Sequence, residues 1–216
     1  MQSPFTTEQF MEVFKTYNQI VFPTQFVLYM LSLAVIWLTI YPISKSDKII
    51  SSILAFLWLW MGIVYHLIFF SKINKAAYLF GFVFILQGII FLYFGVFQNK
   101  LCFQFRSARY GLTGIFLVIF ALIGYPFLGY FLGHHYPSSP TFGLPCPTTI
   151  FSFGILLLTN KKFPILILAI PFLWSIVGFL AAINFGMIED SGLLISALLS
   201  TVLLQFRNKM LSKKLN

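Results

Sequence analysis

The chain has 216 residues, of which 59% are hydrophobic and 9% charged, and its 14 Lys and Arg against 5 Asp and Glu give a formal net charge of +9. A soluble domain of this length needs a far more charged surface, so the composition excludes an ordinary globular protein and points to a single bilayer domain. The positive charge excludes nothing by itself, but it sits in the joins between apolar segments, with no basic stripe interleaved with aromatics, so no nucleic-acid partner is expected.

The first residues show no basic n-region and no apolar h-region, so no signal peptide is expected and the first apolar segment stays in the membrane. Before it, Phe10, Met11, Phe14 and Tyr17 recur at helical spacing, with Glu8, Glu12 and Lys15 elsewhere on the wheel. Thr6 and Gln9 have the spacing of a capping box. Residues 1–19 therefore read as a short amphipathic helix lying on the membrane surface.

Seven apolar segments follow, at 20–41, 49–70, 76–97, 110–133, 147–159, 163–188 and 191–206. Roughly 20 helical residues cross a hydrocarbon core about 30 Å thick. The first four and the sixth meet that length, whereas the fifth and seventh are short. The predicted fold class is all-α, a polytopic membrane helix bundle of seven transmembrane helices (20–206) with a basic cytoplasmic tail (207–216). Pro126 and Pro171 each remove a helical N–H and crowd the carbonyl four residues back, so bends are expected in the fourth and sixth spans.

Charge sets the orientation. Seven spans with the C-terminus inside place Lys45, Lys48, Lys100, Arg106, Arg109, Lys161, Lys162, Arg207, Lys209, Lys213 and Lys214 on the inner face and Lys15, Lys72 and Lys75 outside, eleven against three. Six spans, with the fifth segment not crossing, give at best nine against five. The positive-inside rule favours seven, with the N-terminus outside and the C-terminus in the cytoplasm.

This topology gathers the unusual residues at the outer face: His66, His134, His135, Cys146, Asn184, Glu189 and Asp190, with Gln25 close by. Cys102 and Cys146 fall on opposite faces and are not expected to pair. The stretch 140–147 holds three prolines and a glycine, which cannot continue a helix. If it dips inward, Thr148 and Thr149 stand at a helix N-terminus able to favour an anion or a ligand oxygen. An imidazole one turn below the end of the second span is costly if unpaired. His66 is therefore expected to turn inward, within reach of the 133–149 loop or of Glu189 and Asp190. Gln87, the deepest polar group, reads as an ordinary interhelical hydrogen bond.

Three readings follow. The first is a protein that binds or transports a small ligand or ion in an outward-facing polar pocket lined by His66, His134, His135, Cys146, Thr148, Asn184, Glu189 and Asp190. The second is a metal-dependent membrane enzyme, for which His66, His135, Cys146 and Glu189 are the donors of the right type. That signal is weak, because no HxxH, HxxxH or CxxC spacing exists and adjacent helical histidines diverge by about 100°. The third is a structural or assembly protein in which the same residues tie loops to helix ends. The sequence names no cofactor, and beyond the lipid bilayer it names no partner.

Two stretches, Trp60-Met61-Gly62-Ile63-Val64-Tyr65-His66 with Asn74, and Gly133-His134-His135-Tyr136-Pro137 through Pro145-Cys146-Pro147-Thr148-Thr149-Ile150-Phe151, carry a resemblance over most of the chain. They resemble a bacterial family of small multispan membrane proteins catalogued as a domain of unknown function. The resemblance implies a bacterial inner (plasma) membrane location and brings no activity with it. Microbial rhodopsins fit poorly, since the last span has no lysine for a Schiff base, and zinc-dependent seven-span hydrolases fit no better, since it has no histidine.

Overall fold

The structure, a computed structural model, describes residues 4–105 and 109–213. Arg106 and Lys214, used in the charge count, lie outside the described residues. Among those described, eight helices follow one another: α1 (Thr7–Val21), α2 (Thr24–Ile40), α3 (Ser46–Lys72), α4 (Ala77–Phe97), α5 (Arg109–Phe131), α6 (Pro145–Leu157), α7 (Ile165–Phe185) and α8 (Ile188–Lys213). No strand is present among the described residues, only isolated bridges such as Phe103 with Thr159. Five helices, α3, α4, α5, α7 and α8, are long and apolar enough to cross a membrane, and α1 with α2 makes a sixth if that bent pair is one span.

The capping box forms as its spacing predicts. Gln9 N–H donates to Thr6 Oγ1 at 3.3 Å and Thr6 N–H donates to Gln9 Oε1 at 2.9 Å. The helix runs further than its apolar pattern suggests, through Val21. A proline disfavours helical backbone at the residue before it, Phe22 is extended, and the chain turns by 85° before α2 starts at Thr24. The segment expected to begin at residue 20 thus starts four residues later, and Ile20 belongs to α1.

The last helix corrects the sequence reading. It is not a short span followed by a tail, because the helix continues unbroken through Lys213. Polar residues from 207 onward end the apolar pattern but not the helix, and Arg207 and Asn208 are buried rather than free in solution.

α6 stands at the centre. Each of its 13 residues is buried except Cys146, which is half-buried. It packs between α5, α7 and α8. Pro145 and Pro147 do not exclude it, because the first turn of a helix has no N–H partner to lose. The α5 crossing is set by two glycines. A Cβ on Gly114 would stand 2.8 Å from the Gly154 carbonyl oxygen, and one on Gly154 would stand 2.8 Å from that of Gly114. Only bare backbones approach this closely.

The two ends of the bundle differ. α6 starts at the end that carries α1 and finishes at the other, where Asn160 N–H donates to the Cys102 carbonyl at 2.9 Å, Gln104 N–H to Leu158 at 2.9 Å, and Phe105 N–H to Thr39 at 3.0 Å. Asp47 closes this end by accepting from Phe103 N–H at 2.7 Å.

Each proline expected to bend a helix is met by altered winding. α5 widens to π geometry over Phe120–Gly124, just before Pro126. α7 opens with a tight 3-10 turn over Ile165–Leu168, before Pro171. Proline 171 leaves the Ile167 carbonyl without its usual donor. Gln87 Nε2 donates to that oxygen at 3.0 Å. The deepest polar side chain of α4 therefore repairs a backbone group that a proline on α7 exposes.

Candidate functional site

The α1 end holds a cavity of about 350 Å³ between α1, α3, α4, α7 and the start of α8. Its walls are mostly aromatic, with Phe10 and Phe14 of α1 as the roof and Tyr65, Phe70, Phe80 and Trp174 below. Its polar lining is sparse: Asp190, Cys146, Asn184, Asn74 and the Trp174 indole nitrogen, which is buried without an acceptor. The lining of this cavity is mainly aromatic where the sequence reading expected polar groups, because the helix faces turned toward it carry rings.

Asp190 is its acidic lining residue. The residue is 5% exposed, and its Oδ1 accepts from Tyr125 Oη at 2.5 Å. The Cys146 thiol is a second neighbour. Neither is a cation, and among the described residues the ion pairs are Lys15 with Glu12 and His134 with Glu189. Phe185 and Phe10 close one side, their centroids 5.0 Å apart.

The roof is bolted down by polar groups. Trp60 Nε1 donates to Tyr17 Oη at 2.7 Å. Asn18 Nδ2 donates to the carbonyls of Pro137 and Ser139 at 2.6 and 2.8 Å, and its Oδ1 accepts from Gln25 and Thr141 at 2.7 and 2.8 Å. Tyr17, which periodicity marked only as an apolar position, and Asn18, which it did not single out, tie α1 to the rest of the bundle.

The other predicted residues go to different places. Glu189 is fully buried and its Oε1 lies 2.7 Å from His134 Nδ1, while Oε2 has no partner. Gly129 makes room for it, since a Cβ there would stand 3.3 Å from Oε1. Thr148 Oγ1 accepts from Gly143 N–H at 3.0 Å, which ties the start of α6 to its own loop, while Thr149 Oγ1 is buried without a partner. Asn184 is exposed, turns its amide back to the Leu180 carbonyl at 2.7 Å, and borders the cavity. His135 is exposed and packs edge-on against Tyr130.

His66 is turned inward, as the cost argument requires, but it finds no acceptor. Both ring nitrogens lack partners. The ring stands edge-on to Phe84, Trp174 and Tyr65 at centroid distances of 4.6, 5.2 and 5.0 Å. It backs the cavity wall without lining it. The metal reading fares no better: no group of three or more His, Cys, Asp or Glu able to hold an ion exists among the described residues. His66, His135, Cys146 and Glu189 do not converge, because His135 points outward and His66 is enclosed by rings. Cys102 and Cys146 are both free.

A sequence model for a family described as a family of unknown function, DUF6064, matches residues 7–214. No curated protein and no solved structure matches the chain.

Proposed function

The chain belongs to the DUF6064 family, and from that premise we propose that it is a seven-crossing plasma-membrane protein that binds a small organic cation in the aromatic cavity beneath α1. The observation that carries the ligand class is Asp190, a buried carboxylate at the cavity wall with hydrogen-bond donors but no cation beside it. An uncompensated acid at membrane depth is costly. Aromatic faces attract cations through their quadrupoles, and desolvation strengthens the effect. A ring-lined cavity with one buried carboxylate thus suits a quaternary or protonated amine better than an anion or a sugar. The test is a thermal melt of the detergent-purified protein with benzyltrimethylammonium and with its uncharged isostere neopentylbenzene. The cation alone is expected to raise the melting temperature. Equal shifts, or none, would contradict the ligand class.

Seven crossings are supported by the path of α6, which starts and ends at opposite ends of the bundle although it is only 13 residues long. Among the described residues, nine of the counted Lys and Arg lie at or beyond the end where α6 finishes, against Lys15, Lys72 and Lys75 at the α1 end. Single cysteines at Tyr136 and Lys161, both exposed, in a background lacking Cys102 and Cys146, are expected to label from opposite sides of the membrane. Labelling from one side would reduce the crossings to six. For His134 and Glu189 the structural role is favoured, because their pair fastens the loop after α5 to the start of α8.

A further inference from the structure

A second cavity, of about 340 Å³, opens at the opposite end of the bundle between the α5 start, the α6 end and the last turns of α8, lined by Tyr110, Gly111, Asn160, Arg207, Met210 and Leu211 among others. We propose that it binds the headgroup of an anionic phospholipid, with the Arg207 guanidinium holding the phosphate.

Arg207 is only 6% exposed. It donates from Nη1 to the carbonyls of Thr159 and Leu157 and from Nη2 to Thr159 Oγ1 at 2.7 Å, so it caps the end of α6. A guanidinium has five N–H donors. Nε is buried without an acceptor. The partners it does have are neutral, and Asp47, the acid at this end, is taken by the backbone of Phe103. Among the described residues no acid pairs with it, so the charge is held at the wall of a cavity with donors to spare. Phosphate oxygens match the planar fork of a guanidinium, two bonds at a time.

The surroundings select a lipid over a free ion. Met210 and Leu211 give the cavity an apolar flank for acyl chains, and the exposed Lys161, Lys162 and Lys209 lie next in sequence to its lining residues Asn160 and Met210. Cationic side chains near the membrane surface attract anionic headgroups. Asn160 Oδ1 is a buried acceptor without a donor. A headgroup that carries hydroxyls as well as phosphate would satisfy it, which points to phosphatidylglycerol chemistry. The site lies at the other end of the molecule from Asp190, so either proposal stands or falls without the other.

The test uses the full chain in mild detergent, with retained lipid counted by native mass spectrometry and stability followed by thermal melting. Phosphatidylglycerol is expected to be retained and to raise the melting temperature by on the order of 5 °C at saturation. Phosphatidylcholine and millimolar inorganic phosphate are expected to do neither. Arg207→Gln is expected to weaken phosphatidylglycerol retention about 10-fold or more. Because Arg207 also caps α6, Met210→Trp provides a second variant that fills the cavity and leaves the cap, and it should lose retention likewise. Equal retention of both lipids, an equal shift from inorganic phosphate, or unchanged retention in Met210→Trp would overturn the proposal.

Discussion

Gly154→Val is expected to lower the melting temperature of the detergent-purified protein by about 10 °C, the shift that corresponds to roughly 3 kcal/mol in a chain of this size. The added carbons have nowhere to go. A Cβ on Gly154 already meets the Gly114 carbonyl oxygen at 2.8 Å and the backbone nitrogen of Val118 at 3.0 Å. Both are main-chain atoms of α5, so no rotamer change relieves the clash and the two helices must separate. Separation opens the centre of the bundle, because α6 is buried on every side. Leu112→Val on the same α5 is the control, since Leu112 is 58% exposed and should leave the melt unchanged. Equal melts for Gly154→Val and the parent protein would show that the α5–α6 crossing is not close.

His134→Ala is expected to cost about 3 kcal/mol, read as a fall of several degrees in the same melt. The reason lies in the partner left behind. Glu189 is fully buried, one of its oxygens is already unpaired, and the other faces His134 at 2.7 Å. Removing the imidazole leaves both carboxylate oxygens without a donor in a site closed by Gly129. The double variant His134→Ala with Glu189→Gln should recover much of the loss, because a neutral amide is cheaper to bury than a bare carboxylate. If His134→Ala melts with the parent, the pair contributes nothing and Glu189 must be satisfied elsewhere.

The long apolar helices were legible because each rests on a local signal. Thr6 and Gln9 announce the start of α1, and runs of apolar residues announce α3, α4, α5 and α7. Where the sequence failed, the deciding atoms came from elsewhere in the chain. The end of α8 was misplaced because apolar patterning stops at Phe206, while Arg207 and Asn208 are buried through acceptors on residues 157–163. His66 was expected to reach an acceptor on the 133–149 loop or at Glu189 and Asp190, and only the packing of α3 against α4 and α7 reveals that aromatic rings surround it. The candidate site was half legible. Cys146, Asn184 and Asp190, which the sequence reading grouped, all line one cavity, but that reading could not distinguish Asp190, which lines the cavity, from Glu189 one residue earlier, which His134 occupies. Nor could it assign Gln87 to Ile167, since that bond depends on a proline 84 residues away in sequence.

In the proposed function, Asp190 is the counter-charge of an organic cation. Titration calorimetry of benzyltrimethylammonium into the parent protein and into Asp190→Asn measures this directly, with Phe80→Leu as a second variant that thins the aromatic wall and keeps the acid. Saturable binding is expected in the parent, at least about tenfold weaker in Asp190→Asn, which corresponds to about 1.4 kcal/mol, and weakened to a lesser degree in Phe80→Leu. Equal affinity in the parent and in a folded Asp190→Asn, or no binding to either, would contradict it.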